Sequence, residues 1–282
     1  GGLTACSSFA SDNCDDVDWI DKETMRTDRY LNLSKKFRSR ATAESVWPSY
    51  REETRKKVAD ALELIHERLK EDIVPERVFL REFTRRATQQ LYNSLSDAEW
   101  NRIIDLIELP VPDSAREVVN LDENLKGESK AIFQRFVEMA QSVAGDERKP
   151  KVYFLTSASR NPYDKIDFYN SVFEQLGAEV HWLPLDSAVV KAQREGRCDE
   201  LAKIQQKQLG AYERDRVHKD RYQEQVAFCK DSDAAAEMLA DADGLFFNDG
   251  DQNLTRSTFI KANNEPGDVL KTIIAAVQQK EV

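Results

Sequence analysis

The stretch Gly244-Leu245-Phe246-Phe247-Asn248-Asp249-Gly250-Asp251-Gln252 decides the fold class of this chain. Its first four residues are apolar and two of them are aromatic, which predicts a short buried strand. In an open parallel sheet, ligands bind where strands release the chain, and a glycine there lets backbone N–H groups approach a substrate. A cluster of Asn, Asp and Gly residues is equally typical of an ordinary turn that caps the next helix. Both interpretations apply to the residues that follow this strand.

Two further strands are predicted upstream of this stretch, at 151–156 and 179–183, with a helix at 163–176 between them. Strand, helix and strand at this spacing predict a right-handed βαβ unit, so we expect a parallel sheet covered on both faces. The charged region 191–230 predicts two helices outside the sheet, and His218 lies there in a run of alternating charges typical of a solvated helix. Shorter helices are expected at 232–240, 254–262 and 268–279, and Lys280-Glu281-Val282 would begin a further parallel strand.

The first half of the chain is predicted to be helical. Apolar residues recur at helical spacing over 49–70, 78–95 and 128–143, and a capping box at Ser96 opens another helix before Pro110. Four amphipathic helices with short connections predict an all-α helical domain at 19–148. His66 has no second histidine at ligand spacing, so we predict no metal site there.

Composition narrows the classes of function. The 282 residues include 41 basic and 51 acidic side chains, and the net charge of -10 disfavours nucleic acid and anionic membrane surfaces as partners. Charged residues make up 33% and aromatic residues 9%, which indicates a globular protein rather than a disordered one. No apolar run approaches the roughly 20 residues that a membrane-spanning helix needs.

The N-terminal stretch Leu3-Thr4-Ala5-Cys6 resembles a bacterial lipobox. It predicts lipidation of Cys6, a polar tether at 1–18, and a periplasmic protein whose membrane contact is a lipid anchor; the signal segment would lie upstream. In that oxidising compartment Cys14, Cys198 and Cys229 remain. A Cys198–Cys229 disulfide is the preferred pairing, and three unpaired thiols are the alternative.

Residues from about 149 to 282 resemble the cyanophycinase and dipeptidase E family of serine peptidases. Thr156-Ser157-Ala158-Ser159 is similar to that family's first strand exit, and Tyr169 to Val180 matches the following helix and strand. Asp241 to Gln252 is similar to the strand that ends in Gly-Gly-Asp-Gln or Gly-Gly-Asn-Gln. The resemblance implies a flavodoxin-like α/β fold of the class I glutamine-amidotransferase-like type, present here as its N-terminal half.

The resemblance also implies roles for residues after the focal strand. Gly250 falls on the glycine whose backbone N–H helps form the oxyanion hole, where a donor must already point at the developing negative charge. Gln252 and its neighbour Asp251 fall on substrate-binding positions. Asp249 departs from the pattern, because a glycine is usual there and a carboxylate beside an oxyanion hole is electrostatically unfavourable.

The family's nucleophile is a serine in a Gly-x-Ser-x-Gly elbow, and that pattern occurs nowhere in the 282 residues. One explanation is that a C-terminal remainder of the same protein supplies the nucleophile strand, because a sheet without it would leave an exposed edge. The other is a catalytically inactive periplasmic binding or scaffold protein; an amidotransferase-like or isomerase activity is a further rival. The implied reaction is hydrolysis of a peptide substrate through an acyl-enzyme, without metal or cofactor. A homo-oligomer is compatible with the sequence.

Overall fold

The chain is a mixed α/β protein with 56% helix and a small parallel sheet. The structure is a computed structural model that describes residues 3–85, 88–112 and 114–279. It divides the chain into two units. Unit 1 comprises Gly1–Thr27, Pro112–Leu209 and Asp220–Val282, and unit 2 comprises Asp28–Val111 and Gly210–Lys219. This division differs from the predicted boundaries at 18 and 148.

The strands and helices are named in chain order. The strands are β1 (Tyr30–Asn32), β2 (Ile73–Pro75), β3 (Lys151–Leu155), β4 (Glu179–Leu183) and β5 (Gly244–Phe247). The first α-helices are α1 (Lys35–Ala41), α2 (Glu52–Leu69), α3 (Glu76–Phe83), α4 (Gln89–Ser94), α5 (Asp97–Ile107), α6 (Gly127–Ala144) and α7 (Ile166–Gln175). The others are α8 (Ser187–Glu195), α9 (Leu201–Leu209), α10 (Arg214–Val217), α11 (Lys219–Lys230), α12 (Ala234–Asp241), α13 (Gln252–Phe259) and α14 (Asp268–Gln279).

The sheet of unit 1 has the order β4-β3-β5, and both pairings are parallel. Phe154 of β3 lies opposite Trp182 of β4 and Phe246 of β5. The three predicted strands and their parallel arrangement are confirmed. The first crossover leads from β3 through α7 to β4, and the chain then returns to the other side of β3 to form β5.

Helices α6 and α7 cover one face of this sheet. Phe246 projects between them, with its ring centroid 5.8 Å from Phe133 of α6 and 5.2 Å from Phe173 of α7. Val137 and Ala140 join the same core. Helix α6 therefore belongs to unit 1, and not to the helical bundle in which its sequence was predicted, because its apolar stripe packs on the sheet.

The opposite face of the sheet carries different partners. Tyr153 alternates with Val152 and Phe154 along β3, so its ring lies on the second face, where it stacks on His181 with 4.8 Å between centroids. Helix α12 contacts β3 there, and the Tyr153 hydroxyl lies 3.4 Å from the carboxylate of Asp241. The second face is only partly covered, because His181 and Phe247 remain 37% and 40% exposed on it. The predicted coverage of both faces is therefore met on one face and in part on the other.

The N-terminal segment of unit 1 (residues 3–27) is ordered rather than a tether. Cys6 and Ser7 are fully buried, and Ser7 forms a β-bridge with Val119. The backbone N–H of Cys6 donates to Oδ1 of Asn124 at 2.6 Å, and its carbonyl accepts from the N–H of Asn120 at 2.9 Å. The predicted unstructured tether at 1–18 is corrected on this point, because these polar residues find partners in the loop before α6.

Both pairs of cysteines form disulfides, Cys6–Cys14 and Cys198–Cys229. The preferred Cys198–Cys229 pairing is confirmed. The use of Cys6 differs from the predicted lipidation, because a lipoprotein cysteine carries its lipid on the same sulfur that here bonds to Cys14. A lipid thioether at Cys6 and this disulfide exclude each other within one molecule.

Unit 2 is mainly helical but also contains a short antiparallel pair, β1 and β2. The all-α prediction is corrected here: Leu31 and Val74, which face each other in this pair, are fully buried in the core of unit 2. The predicted helix at 78–95 is two helices, α3 and α4. The capping box at Ser96 is confirmed, since Ser96 and Glu99 exchange both side-chain-to-backbone hydrogen bonds.

The charged region after β4 forms more helices than predicted. Four helices, α8 to α11, replace the expected two. His218 is buried, 8% exposed, and not on a solvated face. Arg214 of α10 is also buried in unit 2, where its guanidinium donates to Glu108 at 2.6 Å and lies 3.5 Å from the Asp105 carboxylate. One member of the charged run, Arg214, therefore belongs to a buried ion-pair network, while Asp215, Lys219 and Asp220 are exposed.

None of the helices among the described residues has the length and apolar character that crossing a membrane requires. The predicted start of another strand at Lys280-Glu281-Val282 lies outside the described residues.

Candidate functional site

The candidate site lies at the carboxyl ends of β3 and β5, where two loops leave the sheet. We name them the β3 exit loop (residues 156–161) and the β5 exit loop (residues 248–251). Because β4 and β5 lie on opposite sides of β3, the chain connections diverge between β3 and β5. Such a topological switch point is where open α/β sheets bind ligands.

Asn248 connects the two exit loops. Its Oδ1 accepts from the backbone N–H of Ala158 at 3.1 Å, and its Nδ2 donates to Oγ of Ser159 at 2.8 Å. The same Nδ2 donates to the carbonyl oxygen of Asp249 at 2.9 Å. The Asn248 side chain is buried, 8% exposed, so these bonds are largely shielded from water. One amide side chain therefore fixes both loops and the peptide after it.

Gly250 occupies a position that no other residue fits. Its φ is +147°, and a Cβ atom built there would lie 2.5 Å from the carbonyl oxygen of Ala158. The backbone N–H of Asp251 donates to that same oxygen at 2.9 Å. A glycine is required because the two loop backbones touch at this point.

The four backbone N–H groups of the β5 exit loop divide into two kinds. Those of Asn248 and Asp251 donate to carbonyl oxygens of Leu155 and Ala158. Within the described part of the chain, those of Asp249 and Gly250 donate to no acceptor, and both residues are exposed. Unused backbone donors held in a fixed position are what the stabilisation of an oxyanion needs.

Asp249 places a carboxylate beside these donors. Burial, and to a smaller extent the charge of Asp249, raise the pKa of the Tyr169 hydroxyl, so that this hydroxyl stays protonated. The side chain of Asp249 is exposed to water, which screens its charge and lowers its effect on an anion at Gly250.

The two predicted substrate-binding residues lie at the start of α13. Asp251 is the N-cap, and its Oδ1 accepts from the N–H of Asn253 at 2.8 Å. Gln252 is the first helical residue and is exposed, and its side chain hydrogen-bonds to none of the described residues. Gln252 is therefore accessible to a ligand, whereas one carboxylate oxygen of Asp251 already accepts a hydrogen bond from the first turn of α13.

The β3 exit loop is mostly buried. Thr156 and Ser157 are each 1% exposed, and Oγ1 of Thr156 accepts from the indole N–H of Trp182 at 3.1 Å. Oγ of Ser157 has no hydrogen-bond partner among the described residues. A buried hydroxyl without a partner is uncommon, and it adds a free polar group next to the switch point.

A polar network that the sequence did not reveal lies at the end of β4. Asp186 is fully buried and caps α8, and its Oδ2 accepts from the side-chain amide of Gln225 at 2.9 Å. Gln225 in turn accepts from the Tyr163 hydroxyl at 2.6 Å and from Gln205 at 2.8 Å. Burial raises the pKa of Asp186, opposed by its hydrogen bonds from Val189, Gln225 and Ala188. Gln205 and Gln225 are 20 residues apart and belong to no recognisable motif, so the sequence alone does not reveal this network.

Beside the switch point, the outer edge of β5 is open. Among the described residues, β5 pairs with β3 alone. An apolar groove runs along this free edge, between α6 on one side and α12 and α14 on the other. Its walls include large apolar side chains that remain 40 to 48% exposed, namely Phe247, Met139 and Val277.

The structure thus brings Gly250, Asp251 and Gln252 together at the switch point, with Asn248 as the residue that sequence reasoning overlooked. It places Cys6 in the N-terminal segment, bonded to Cys14. Asn248 precedes the recognised Asp-Gly-Asp-Gln stretch by a single position, but its partners lie 89 and 90 residues away. Its position next to this stretch was the one feature of the sequence that could have drawn attention to Asn248.

Comparisons of the chain with family models, with curated proteins and with solved structures gave no match. The residues of the switch point therefore support the functional inference by themselves.

Proposed function

We propose that residues 149–282 are the first part of a serine peptidase of the cyanophycinase and dipeptidase E type, with a flavodoxin-like, class I glutamine-amidotransferase-like fold. The observed strand order β4-β3-β5 supports this fold, because in sequence order it is 2-1-3, the beginning of the flavodoxin-like order 2-1-3-4-5. The substrate would be a peptide bound across the switch point.

The observation that carries the proposal is the exposed, unused N–H of Gly250 at this switch point. In acyl transfer, an N–H fixed in advance stabilises the negative charge that develops on the carbonyl oxygen of the substrate. Gly250 offers such a donor without a side chain, so a scissile carbonyl can approach it. Gln252, exposed on the first turn of α13, is placed to hydrogen-bond the backbone of the same peptide.

The open edge of β5 supports a further part of the proposal. A parallel sheet is normally buried, and an exposed apolar edge invites pairing with another strand. We therefore propose that sequence following Val282 supplies a strand beside β5. That strand would bring the serine nucleophile to the carboxyl end of the sheet, next to Gly250, followed by its histidine and acid.

Two disulfides support an oxidising compartment such as the periplasm, since disulfides rarely persist in a reducing cytosol. The net charge of -10 favours a neutral or basic peptide over an acidic one as substrate.

The test is covalent labelling of the native protein, including the sequence after Val282, with a fluorophosphonate, which phosphonylates activated serines and releases fluoride. We expect a single labelled serine after Val282, identified by mass spectrometry of the digested protein. Heat-denatured protein is the control, because an unfolded chain cannot activate a serine. An unlabelled native protein that still binds peptides would overturn the peptidase and favour the inactive binding or scaffold protein.

A further inference from the structure

The peptide between Asp249 and Gly250 contains both the proposed oxyanion donor and a carbonyl that is held in place. The carbonyl oxygen of Asp249 accepts from Nδ2 of Asn248 at 2.9 Å. The N–H of Gly250 belongs to the same planar unit. No cis peptide bond occurs in the described residues, so the C=O and the N–H of this unit point in opposite directions.

Holding the Asp249 carbonyl against Asn248 therefore aims the Gly250 N–H away from the buried amide, toward solvent. Asn248 is itself immobilised, because its Oδ1 and Nδ2 are bonded to Ala158 and Ser159 of the neighbouring loop. Its backbone N–H donates to Leu155 at 3.1 Å. The direction of one exposed N–H is thus set by a side chain that is nine-tenths buried.

We propose that Asn248 is a positioning residue, which orients the Gly250 N–H for oxyanion stabilisation by holding the carbonyl of Asp249. This inference rests on the proposed peptidase function. It names a residue to which the resemblance gave no role, and it assigns to that residue an effect on the transition state rather than on substrate binding.

The substitution Asn248→Asp isolates this role. Aspartate keeps the shape and can still accept from the Ala158 N–H, but as a carboxylate it has no proton to donate to the Asp249 carbonyl, which it repels. When protonated it regains one O–H donor. The orientation of the Gly250 N–H should therefore be lost at neutral pH and recovered on acidification, a reversal that a general loss of stability would not produce.

The first readout is an NMR spectrum of the 282-residue chain labelled with carbonyl-¹³C aspartate and ¹⁵N glycine. The sequence contains Asp-Gly at 243–244 and 249–250, so two cross-peaks arise and Gly244 serves as an internal reference. In Asn248→Asp we expect the Gly250 cross-peak to move at neutral pH and to return toward its original position at low pH. The same pH series on the unsubstituted chain supplies the baseline.

The variant Ser159→Ala is the matched control for the spectrum. It removes one of the two side-chain hydrogen bonds from Asn248 to the β3 exit loop but leaves the bond to the Asp249 carbonyl, so the Gly250 cross-peak should stay in place. Displacement of that cross-peak in Ser159→Ala as large as in Asn248→Asp would overturn the proposal, because contact between the loops would then set the orientation. An unchanged cross-peak in Asn248→Asp would overturn it too.

The second readout is the rate of fluorophosphonate labelling and of peptide hydrolysis in the native protein. Loss of one oxyanion donor lowers kcat by about 10²–10³-fold, so a misaimed one should lower it by roughly 10-fold or more. KM should be unchanged, because the donor acts in the transition state. The control is Asn93→Asp, which introduces the same charge on an exposed position of α4 in unit 2.

The two readouts separate the two claims. A moved cross-peak in Asn248→Asp, together with no labelling of any serine in the unsubstituted protein, would reject the peptidase and the catalytic use of the N–H. An unmoved cross-peak with a normally labelled serine would keep the peptidase and reject the role of Asn248. A rise in KM without a fall in kcat would also contradict the proposal, because the substitution would then weaken substrate binding and not the transition state.

Discussion

Glu117 is a carboxyl group buried in unit 1, 5% exposed, next to the N-terminal segment. The hydroxyl of Ser7 donates to its Oε1 at 2.6 Å. Burial raises the pKa of Glu117, while the Ser7 bond and the charges of Lys165 and Arg26 oppose the rise without cancelling it, and Asp167 adds to it. The folded state therefore favours the protonated form of this group relative to the unfolded chain.

The sign of the pH dependence follows from that shift. A carboxyl whose pKa is raised by folding contributes most to stability below its unfolded pKa, and this contribution is lost as the pH rises through the folded pKa. We expect Glu117→Gln, which keeps an oxygen for Ser7 but cannot ionise, to remove this loss. The gain in Tm over the unsubstituted protein should be larger near pH 8 than near pH 3, on either side of the ordinary glutamate pKa of about 4.3.

The control for this prediction is Glu147→Gln at an exposed position of unit 1. It changes the net charge equally and should show no such growth of Tm difference with pH. Equal pH profiles for the two variants would show that burial of Glu117 does not couple its ionisation to folding. The measurement is thermal unfolding followed by circular dichroism across the pH range.

At the scale of elements, the Cys198–Cys229 disulfide joins the segment after α8 to the last turns of α11. The cysteines are 31 residues apart, compared with 8 for Cys6 and Cys14. Because cross-linking a longer loop removes more entropy from the unfolded chain, the chain-entropy relation gives about 3–4 kcal/mol for the longer loop and about 2–3 kcal/mol for the shorter one.

We therefore expect the double variant Cys198→Ser, Cys229→Ser to lose more free energy of unfolding than Cys6→Ser, Cys14→Ser. Chemical denaturation of both variants under oxidising conditions measures the difference. Each double variant serves as the matched control for the other, since both replace two buried sulfurs. A larger loss for the shorter loop would show that packing around Cys6 outweighs loop entropy.

The strands were predictable from sequence because apolar runs such as 151–155 and 244–247 are bounded by polar turn residues. The partners of a helix were less accessible. The spacing of apolar residues in α6 shows which face of the helix is apolar, but such a face can pack on helices or on a sheet. In the structure it packs on the sheet. The sequence between α3 and α4 contains no glycine or proline, so it gave no indication that the helix would end there.

The candidate site was predictable in part for the same reason. A strand end followed by Asp-Gly-Asp-Gln indicated the place of Gly250, and local sequence suffices for that. The contact that demands a glycine, with Ala158, and the bonds of Asn248 join loops about 90 residues apart along the chain. The buried network around Asp186 likewise depends on tertiary contacts between β4, α9 and α11.

At the scale of the whole molecule, the open edge of β5 makes a prediction about the longer protein. If a strand following Val282 pairs there, the amides of Gly244–Phe247 gain partners on their free side. We expect their hydrogen exchange to slow by at least about 10-fold when the following sequence is present, corresponding to about 1.4 kcal/mol of added protection. Exchange of the β3 amides, which are already paired on both sides, is the internal control.

Equal exchange at β5 in the two lengths of chain would contradict the proposed pairing. Mass-spectrometric hydrogen exchange on peptides that cover β5 and β3 makes the comparison directly. The outcome does not depend on catalysis, so it tests the completion of the sheet separately from the identity of the nucleophile.

The two segments of unit 2, at 28–111 and 210–219, interrupt unit 1 along the chain. During translation, the N-terminal segment emerges long before Val119, Asn120 and Asn124, the residues that it contacts. At roughly 5–20 residues per second, it waits on the order of 5 to 20 s for them. The Cys6–Cys14 disulfide closes a loop entirely within this segment, so once the segment has reached the oxidising compartment it can form before the rest of the chain follows. An early cross-link of this kind would deliver a preshaped N-terminal segment to its late-arriving binding site.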